Sequence, residues 1–413
     1  MDRREFLKTS AMVSLSCLFP GLSGWAYSPA GANGLGSKKL IVIFLRGAAD
    51  GLNVVIPYAD QNYYNARPII AIAPPGKSEG CLDLDGTFGL HPVLKPLLEH
   101  WKNGSLAFVH SSGSPDSTRS HFDAQDYMES GRPGVKTASS GWLNRALQLL
   151  PDNSSPIRAI NVGSTMPRIL QGPVTVASYA PKRSGRRSVI DQPFISSAFA
   201  RMYEGRGDEL EEAFEEGLES HNTLKEKLAQ EMQAANKGAP VARNFKGFGR
   251  QLGSLFGKDR NTQIAFLALG GWDTHVNQGA SKGQLTNQLN SLGSGLADLV
   301  TGLGPQYKDT VIMVMSEFGR TVKENGNGGT DHGHGNVMWL MGGGVNGGKV
   351  HGDFSGLAKG NLYEGRDLPV RVDFRDVVSS VAENHLELSK NQIAELFPGY
   401  TRGGSPVAKN LFV

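Results

Sequence analysis

Apolar residues along this chain gather in short continuous runs, each bounded by polar or glycine-containing segments. Leu40-Ile41-Val42-Ile43-Phe44-Leu45 lies between Ser37-Lys38-Lys39 and Arg46-Gly47. Runs of the same kind occur at 106–109 (Leu-Ala-Phe-Val), 264–269 (Ile-Ala-Phe-Leu-Ala-Leu) and 310–315 (Thr-Val-Ile-Met-Val-Met). Such runs predict strands buried on both faces, as in the centre of a parallel sheet. Helical patterning separates them, at 92–103, 120–130 and 284–303. Strand alternating with helix predicts an α/β fold with a doubly wound, mostly parallel sheet and helices on both faces. In that architecture ligands bind beyond the carboxyl ends of the strands.

The stretch 208–237 breaks this pattern: it is strongly charged, lacks Gly and Pro after Gly217, and favours helix through Glu209-Leu210-Glu211-Glu212-Ala213-Phe214-Glu215-Glu216. It predicts a helical insertion at about 205–257 in an otherwise single domain spanning 33–413. Its charges suit a solvated face or, alternatively, a partner-binding one. The basic segment Pro181-Lys182-Arg183-Ser184-Gly185-Arg186-Arg187 reads as a solvated turn or a contact for an anionic partner. No internal repeat and no membrane span is expected.

The N-terminus carries a targeting pattern. Asp2-Arg3-Arg4-Glu5-Phe6-Leu7-Lys8 resembles the twin-arginine export consensus. The moderately apolar run at 11–22 is too short for the roughly 20 apolar residues of a bilayer span, and reads as the hydrophobic part of a signal. Ala30-Gly31-Ala32 offers a cleavage site and Ala26 a second. Residues 1–32 are therefore expected to be a signal peptide read by the twin-arginine translocase, with a periplasmic or extracellular product; a basic N-terminal helix is the plainer reading. Cys17 would leave with the signal, and Cys81 alone cannot form an internal disulfide.

A formal net charge of +3 and the lack of a basic tract interleaved with aromatics argue against a nucleic-acid partner. Glycine is abundant, at 53 of 413 residues, and clusters near polar residues, which favours long shaped loops on a scaffold.

The chemistry-bearing residues follow the predicted strands. Gly270-Gly271-Trp272-Asp273-Thr274-His275 comes after one, Ser316-Glu317-Phe318-Gly319-Arg320-Thr321 after another, and a Gly-rich loop then supplies Thr330-Asp331-His332-Gly333-His334. Asp331, His332 and His334 combine one carboxylate with two imidazoles, a set suited to Zn²⁺ or another divalent ion. Adjacent residues in an extended loop point apart, so one can ligate while another orients, or each can serve a different metal; a simple turn is the plainer reading. Asp273 and His275, two apart, share one side of an extended segment and could chelate one ion.

Glu317 at a strand tip is a candidate ligand or general base, and Arg320 a candidate clamp for an anion; alternatively the two pair with each other. Ser120 sits at a helix start, where it can cap the helix or act as a nucleophile activated by the helix N-terminus and a neighbouring metal. Asp50, after the first strand, could bind metal or close the turn.

Five segments together resemble a known bacterial family: Phe-Leu-Arg-Gly-Ala-Ala-Asp-Gly at 44–51, Ser-His-Phe-Asp-Ala-Gln at 120–125, Gly-Trp-Asp-Thr-His at 271–275, Ser-Glu-Phe-Gly-Arg-Thr at 316–321 and Asp-His-Gly at 331–333. This is the family called domain of unknown function 1501, and the likeness runs over about 39–397. The resemblance implies a twin-arginine exported protein with a fold like alkaline phosphatases, sulfatases and cofactor-independent phosphoglycerate mutases. It further implies a divalent metal (Zn, Mn, Mg or Ca), with roles open to Asp50, Ser120, Asp273 with His275, and His332 or His334. Two departures stand out: Phe318 follows Glu317 where that superfamily would place a metal-binding His, and Asp50 lies several residues beyond the usual position at the strand end.

Two functions fit these residues. One is a metal-dependent hydrolase of phosphate or sulfate esters; the other is a non-catalytic envelope protein that uses the same scaffold to bind a glycan or a protein partner.

Overall fold

A computed structural model describes residues 38–151, 158–163, 165–179, 236–240, 245–259, 261–403 and 406–413. The expected signal peptide, the basic segment at 181–187 and most of the expected helical insertion lie outside them. The strands are β1 (Lys39–Leu45), β2 (Val55–Ile56), β3 (Leu82–Asp83), β4 (Gly89–Leu90), β5 (Leu106–Gly113), β6 (Ala159–Val162), β7 (Ala177–Tyr179), β8 (Ile264–Leu269), β9 (Thr310–Ser316), β10 (Asn336–Gly342), β11 (Lys349–Gly352) and β12 (Val372–Asp373). The principal helices are α1 (His121–Ser130), α2 (Trp142–Leu149), α3 (Phe245–Lys258), α4 (Gln284–Leu303), α5 (Phe374–Asn384) and α6 (Lys390–Leu396).

Nine strands form the main sheet in the order β11-β5-β10-β9-β1-β8-β6-β7, with β12 also beside β5; β2, β4 and β3 form a small separate sheet. β1 pairs in parallel with β8 and β9, β6 with β8 and β7, and β5 with β11 and β12. Within the main sheet β10 alone, among the described strands, runs antiparallel, to both β5 and β9. The expected doubly wound, mostly parallel sheet is therefore the observed one. Every residue of β1 is buried, because alternate side chains enter two cores. Leu40, Val42 and Phe44 pack with residues of α2, α5 and α6, whereas Ile41, Ile43 and Leu45 pack with α3 and α4.

The helical pattern at 284–303 coincides with α4, and that at 120–130 becomes α1, capped by Ser120. At 92–103 Pro96 lies inside the segment, which opens as a 3-10 turn over Pro92–Leu97 before Leu98–Lys102 becomes α-helical. α3, at the far end of the expected insertion, is part of the layer covering the sheet. It approaches α4 so closely that a Cβ on Gly253 would lie 2.2 Å from the Leu299 carbonyl oxygen.

β10 was not foreseen, and it matters most for the site. Running against its neighbours, it starts at the edge where the parallel strands end. The Gly-rich loop before it thus lies with the loops that leave β1, β8 and β9. Among the described residues no helix is long and apolar enough to cross a membrane.

Candidate functional site

Four loops meet beyond the carboxyl ends of the central strands. β1 leads to 46–50, β8 to 270–275, β9 to 316–320, and the loop before β10 supplies 331–335. Gly47 permits a close approach between two of them: its φ is +112°, and a Cβ there would lie 2.6 Å from the Asp273 backbone nitrogen. α1 delivers His121 from its first turn.

Asp273 is the hub. Its Oδ1 lies 3.0 Å from His275 Nε2 and 3.6 Å from His332 Nε2, and its Oδ2 lies 3.6 Å from His121 Nε2. His275 Nε2 and His332 Nε2 are themselves 2.9 Å apart. Each imidazole is held from behind at Nδ1. His121 Nδ1 meets Glu317 Oε1 at 2.8 Å, His275 Nδ1 meets Asp331 Oδ1 at 3.3 Å, and His332 Nδ1 donates to the Arg119 carbonyl at 2.8 Å. A carbonyl can only accept, so the proton of neutral His332 sits on Nδ1 and the Nε2 lone pair faces Asp273. The buried Nε2 of His121 has no hydrogen-bond partner.

Nitrogen and oxygen ligands about 2.0–2.1 Å from a tetrahedral Zn²⁺ stand roughly 3.3 Å from one another, and the donor separations here bracket that value. His121, Asp273 and His332 are close enough to hold a metal ion together, and His275 abuts two of them. Carboxylate and carbonyl groups behind the ring nitrogens are the usual outer support of metal-binding histidines.

The same contacts set the ionisation states. Burial opposes a charge on His121, but the neighbouring carboxylates of Asp273, 3.6 Å from Nε2, and Glu317, hydrogen-bonded at Nδ1, outweigh it and push the imidazole up to about 9. Burial would raise Asp273, yet three imidazoles and Arg320 hold it far below the usual carboxylate range. Glu317 is likewise opposed by burial and nevertheless held down at about 2, chiefly by His121. His275 is raised by its bond to Asp273, whereas burial lowers His332.

Several residues singled out in the sequence take other places. Glu317 has no exposed surface and faces inward: it accepts from Gly47 N at 2.8 Å, Gln125 Nε2 at 2.9 Å and Ser316 Oγ at 2.9 Å as well as from His121. It positions His121 and is turned from any ligand or base role. Arg320 is no anion clamp, because its donors meet Ala48 O, Thr330 O, Gly47 O, Trp272 O and Asp273 Oδ1. It ties the loops together and does not pair with Glu317.

Asp50 is buried in a two-pronged ion pair with Arg67, at 2.6 and 3.0 Å, and accepts from Gln278 at 2.6 Å, so its oxygens are turned from the cluster. The Ser120 hydroxyl caps α1 by accepting from Asp123 N at 3.5 Å, and among the described residues it bonds to none of the cluster. His334 stacks on Tyr363, with ring centroids 4.5 Å apart, away from Asp273. Asp331 contributes by orienting His275 from the solvent side.

His121 and Gln125 were not singled out. They stand one helical turn apart on α1 and both reach Glu317, and that i, i+4 spacing within Ser-His-Phe-Asp-Ala-Gln was the available signal. Phe318, where a His was expected, stacks on His121 and lies tilted against His332, at centroid distances of 5.0 and 5.1 Å, and forms an apolar floor.

Among curated proteins none matches this sequence. Solved structures with partial likeness include Ps i-CgsB bound to k-i-k-neocarrahexaose, at 12% identity and a TM-score of 0.40, covering 86% of this chain and 74% of that one. Another is the lipoteichoic acid synthase LtaP from Listeria monocytogenes, at 9% identity and a TM-score of 0.36, covering 76% and 69%. A third is the lipooligosaccharide phosphoethanolamine transferase EptA from Neisseria meningitidis, at 9% identity and a TM-score of 0.34, covering 79% and 54%. The sequence profile of one family matches residues 108–397, which hold His121, Asp273, His275, Glu317, Arg320 and His332, and the chain belongs to that family, "Protein of unknown function (DUF1501)".

Proposed function

We propose that this protein is an exported, metal-dependent hydrolase of phosphate or sulfate esters. The observation that carries the reading is the convergence of three imidazole Nε2 atoms on the buried carboxylate of Asp273, each ring anchored at Nδ1. Three nitrogens and one carboxylate suit Zn²⁺ or another first-row ion better than Mg²⁺ or Ca²⁺, which prefer oxygen. The partnerless Nε2 of His121 fits the same assignment. His121, Asp273, His275 and His332 would hold the ion, which when bound supplies a Lewis acid for an ester oxygen and acidifies a water. Glu317 and Asp331 fix the rings, Arg320 fixes Asp273, and Phe318 keeps water from one side of the cluster.

Elemental analysis of protein purified from an exporting host tests the metal directly, with about one divalent ion expected per chain. Asp273→Ala and His332→Ala should lose the ion together with turnover on phosphate or sulfate esters. A wild type with neither metal nor turnover would overturn the proposal.

One observation favours the second reading, a non-catalytic binder of a glycan or envelope protein: Arg320 and the Ser120 hydroxyl are engaged elsewhere, so the cluster offers neither of them to an ester. Bound metal without turnover on either ester class would select it. Export rests on Arg3-Arg4 and the segment that follows, with the twin-arginine translocase as the partner; changing both arginines to Lys should leave an uncleaved cytoplasmic precursor.

A further inference from the structure

A cavity of about 260 Å³ opens beyond the ends of β6 and β8, and Arg46, Asp126, Glu129, Arg168 and Lys237 are among the residues that line it. Its charges do not cancel. Arg46 donates one Nη to Glu129 Oε1 at 2.7 Å and the other to Gln125, yet its Nε is buried without a partner although the residue is only 3% exposed. Arg168 makes one loose contact, Nε to Asp126 Oδ1 at 3.6 Å, and no hydrogen bond from its side chain among the described residues. Lys237 has no hydrogen bond or ion pair there; its ammonium lies 4.9 Å from the centroid of the exposed Phe122 ring. Three cations thus face two carboxylates, each already beside an arginine, and donors of all three cations remain unused.

Burying unmet donors costs free energy that an oxyanion recovers, and a guanidinium with a neighbouring ammonium suits a tetrahedral one. Burial also lowers Lys237, and an anion would oppose that shift. We infer that this cavity is an oxyanion-binding site, separate from the His/Asp cluster, that takes a sulfate or phosphate group through the Lys237 ammonium and the Arg168 guanidinium, with the Arg46 charge behind them. Its walls touch the cluster's supports. Gln125 bonds both Arg46 and Glu317, and Asn236, beside Lys237, accepts from Gly271 N at 2.9 Å on the loop that carries Asp273. A second anionic group of a large substrate could therefore sit here while the first meets the cluster.

Calorimetric titration of the mature protein with inorganic sulfate, inorganic phosphate and acetate tests the site, with and without a chelator. Sulfate or phosphate should bind once per chain, more tightly than acetate, and equally with the chelator present. Lys237→Gln and Arg168→Gln should each weaken binding by about tenfold, while Lys237→Arg should keep it and all three variants keep the wild-type melting temperature. No binding by wild type, or unchanged binding in both Gln variants, overturns the inference. Binding abolished by the chelator also overturns it, since the anion would then sit on the metal, and the metal proposal would stand.

Discussion

Asp50 and Asp273 both follow a central strand, both are buried, and both touch an arginine, but they live in opposite environments. Asp50 meets Arg67 through two parallel bonds and Gln278 through a third, so its charge is matched by groups that only donate. Asp273 meets one arginine and three imidazoles, whose Nε2 atoms carry a lone pair whenever the ring is neutral. The first arrangement is complete without any ion; the second gathers four donors to a metal at one point. An aspartate at a strand end is thus not a site by itself: the partners it faces decide.

The largest expected effect comes from breaking the complete pair. Arg67→Ala leaves the Asp50 carboxylate buried without its partner and should lower unfolding stability by about 3–5 kcal/mol. Denaturant unfolding reads this, and the folded fraction should keep a wild-type metal content. A metal content that fell with stability would erase the contrast between the two aspartates.

Next in size is a pH dependence confined to the cluster. In chelator-treated protein His121 is raised from 6.5 to about 9, so its contribution is full below pH 6.5 and is lost as pH rises toward 9. Glu317 is held at about 2 against 4.5, so its contribution is full above pH 4.5 and fades as pH falls toward 2. Unfolding stability should therefore decline between pH 6.5 and 9, by on the order of 3 kcal/mol, and His121→Ala should flatten that limb. A wild-type limb that persists in the variant would assign it to another group.

Glu317→Gln is smaller. The amide keeps the shape of the side chain and removes the charge behind His121, and support of this kind is worth about 10–100-fold in metal affinity. Competition with a chromogenic chelator measures it. Smallest is Asp331→Asn, whose exposed carboxylate sits 3.3 Å from His275 Nδ1. Water screens that contact, so less than roughly tenfold should be lost; a loss equal to that of Glu317→Gln would mean that burial does not separate the two supports.

Much of the scaffold was legible in the chain. Continuous apolar runs marked β1, β8 and β9, the start of β5 was visible in the same way, and the pattern at 284–303 marked α4. β10 carries the same kind of apolar run, Val337-Met338-Trp339-Leu340-Met341, but it stands between Gly-rich segments that blur its boundaries. Of the site, Asp273, His275, His332 and Asp331 do come together, whereas Asp50, Ser120 and His334 belong to other contacts and Glu317 and Arg320 act as supports.

By itself the sequence determined which segments are strands and helices, since burial on one or two faces imposes a period that any chain must carry locally. It also determined that the polar residues follow the strands. Only the tertiary structure decided their roles. Gln125 and Gln278 come from distant parts of the chain and Arg67 from nearer by, and each claims a carboxylate that would otherwise read as a ligand. The antiparallel strand β10 of the main sheet returns His332 to Asp273, and the helix start at Ser120 turns His121 toward Glu317. A side chain's chemistry follows from what stands within about 4 Å of it, and in a sheet of crossovers those neighbours are far apart in sequence.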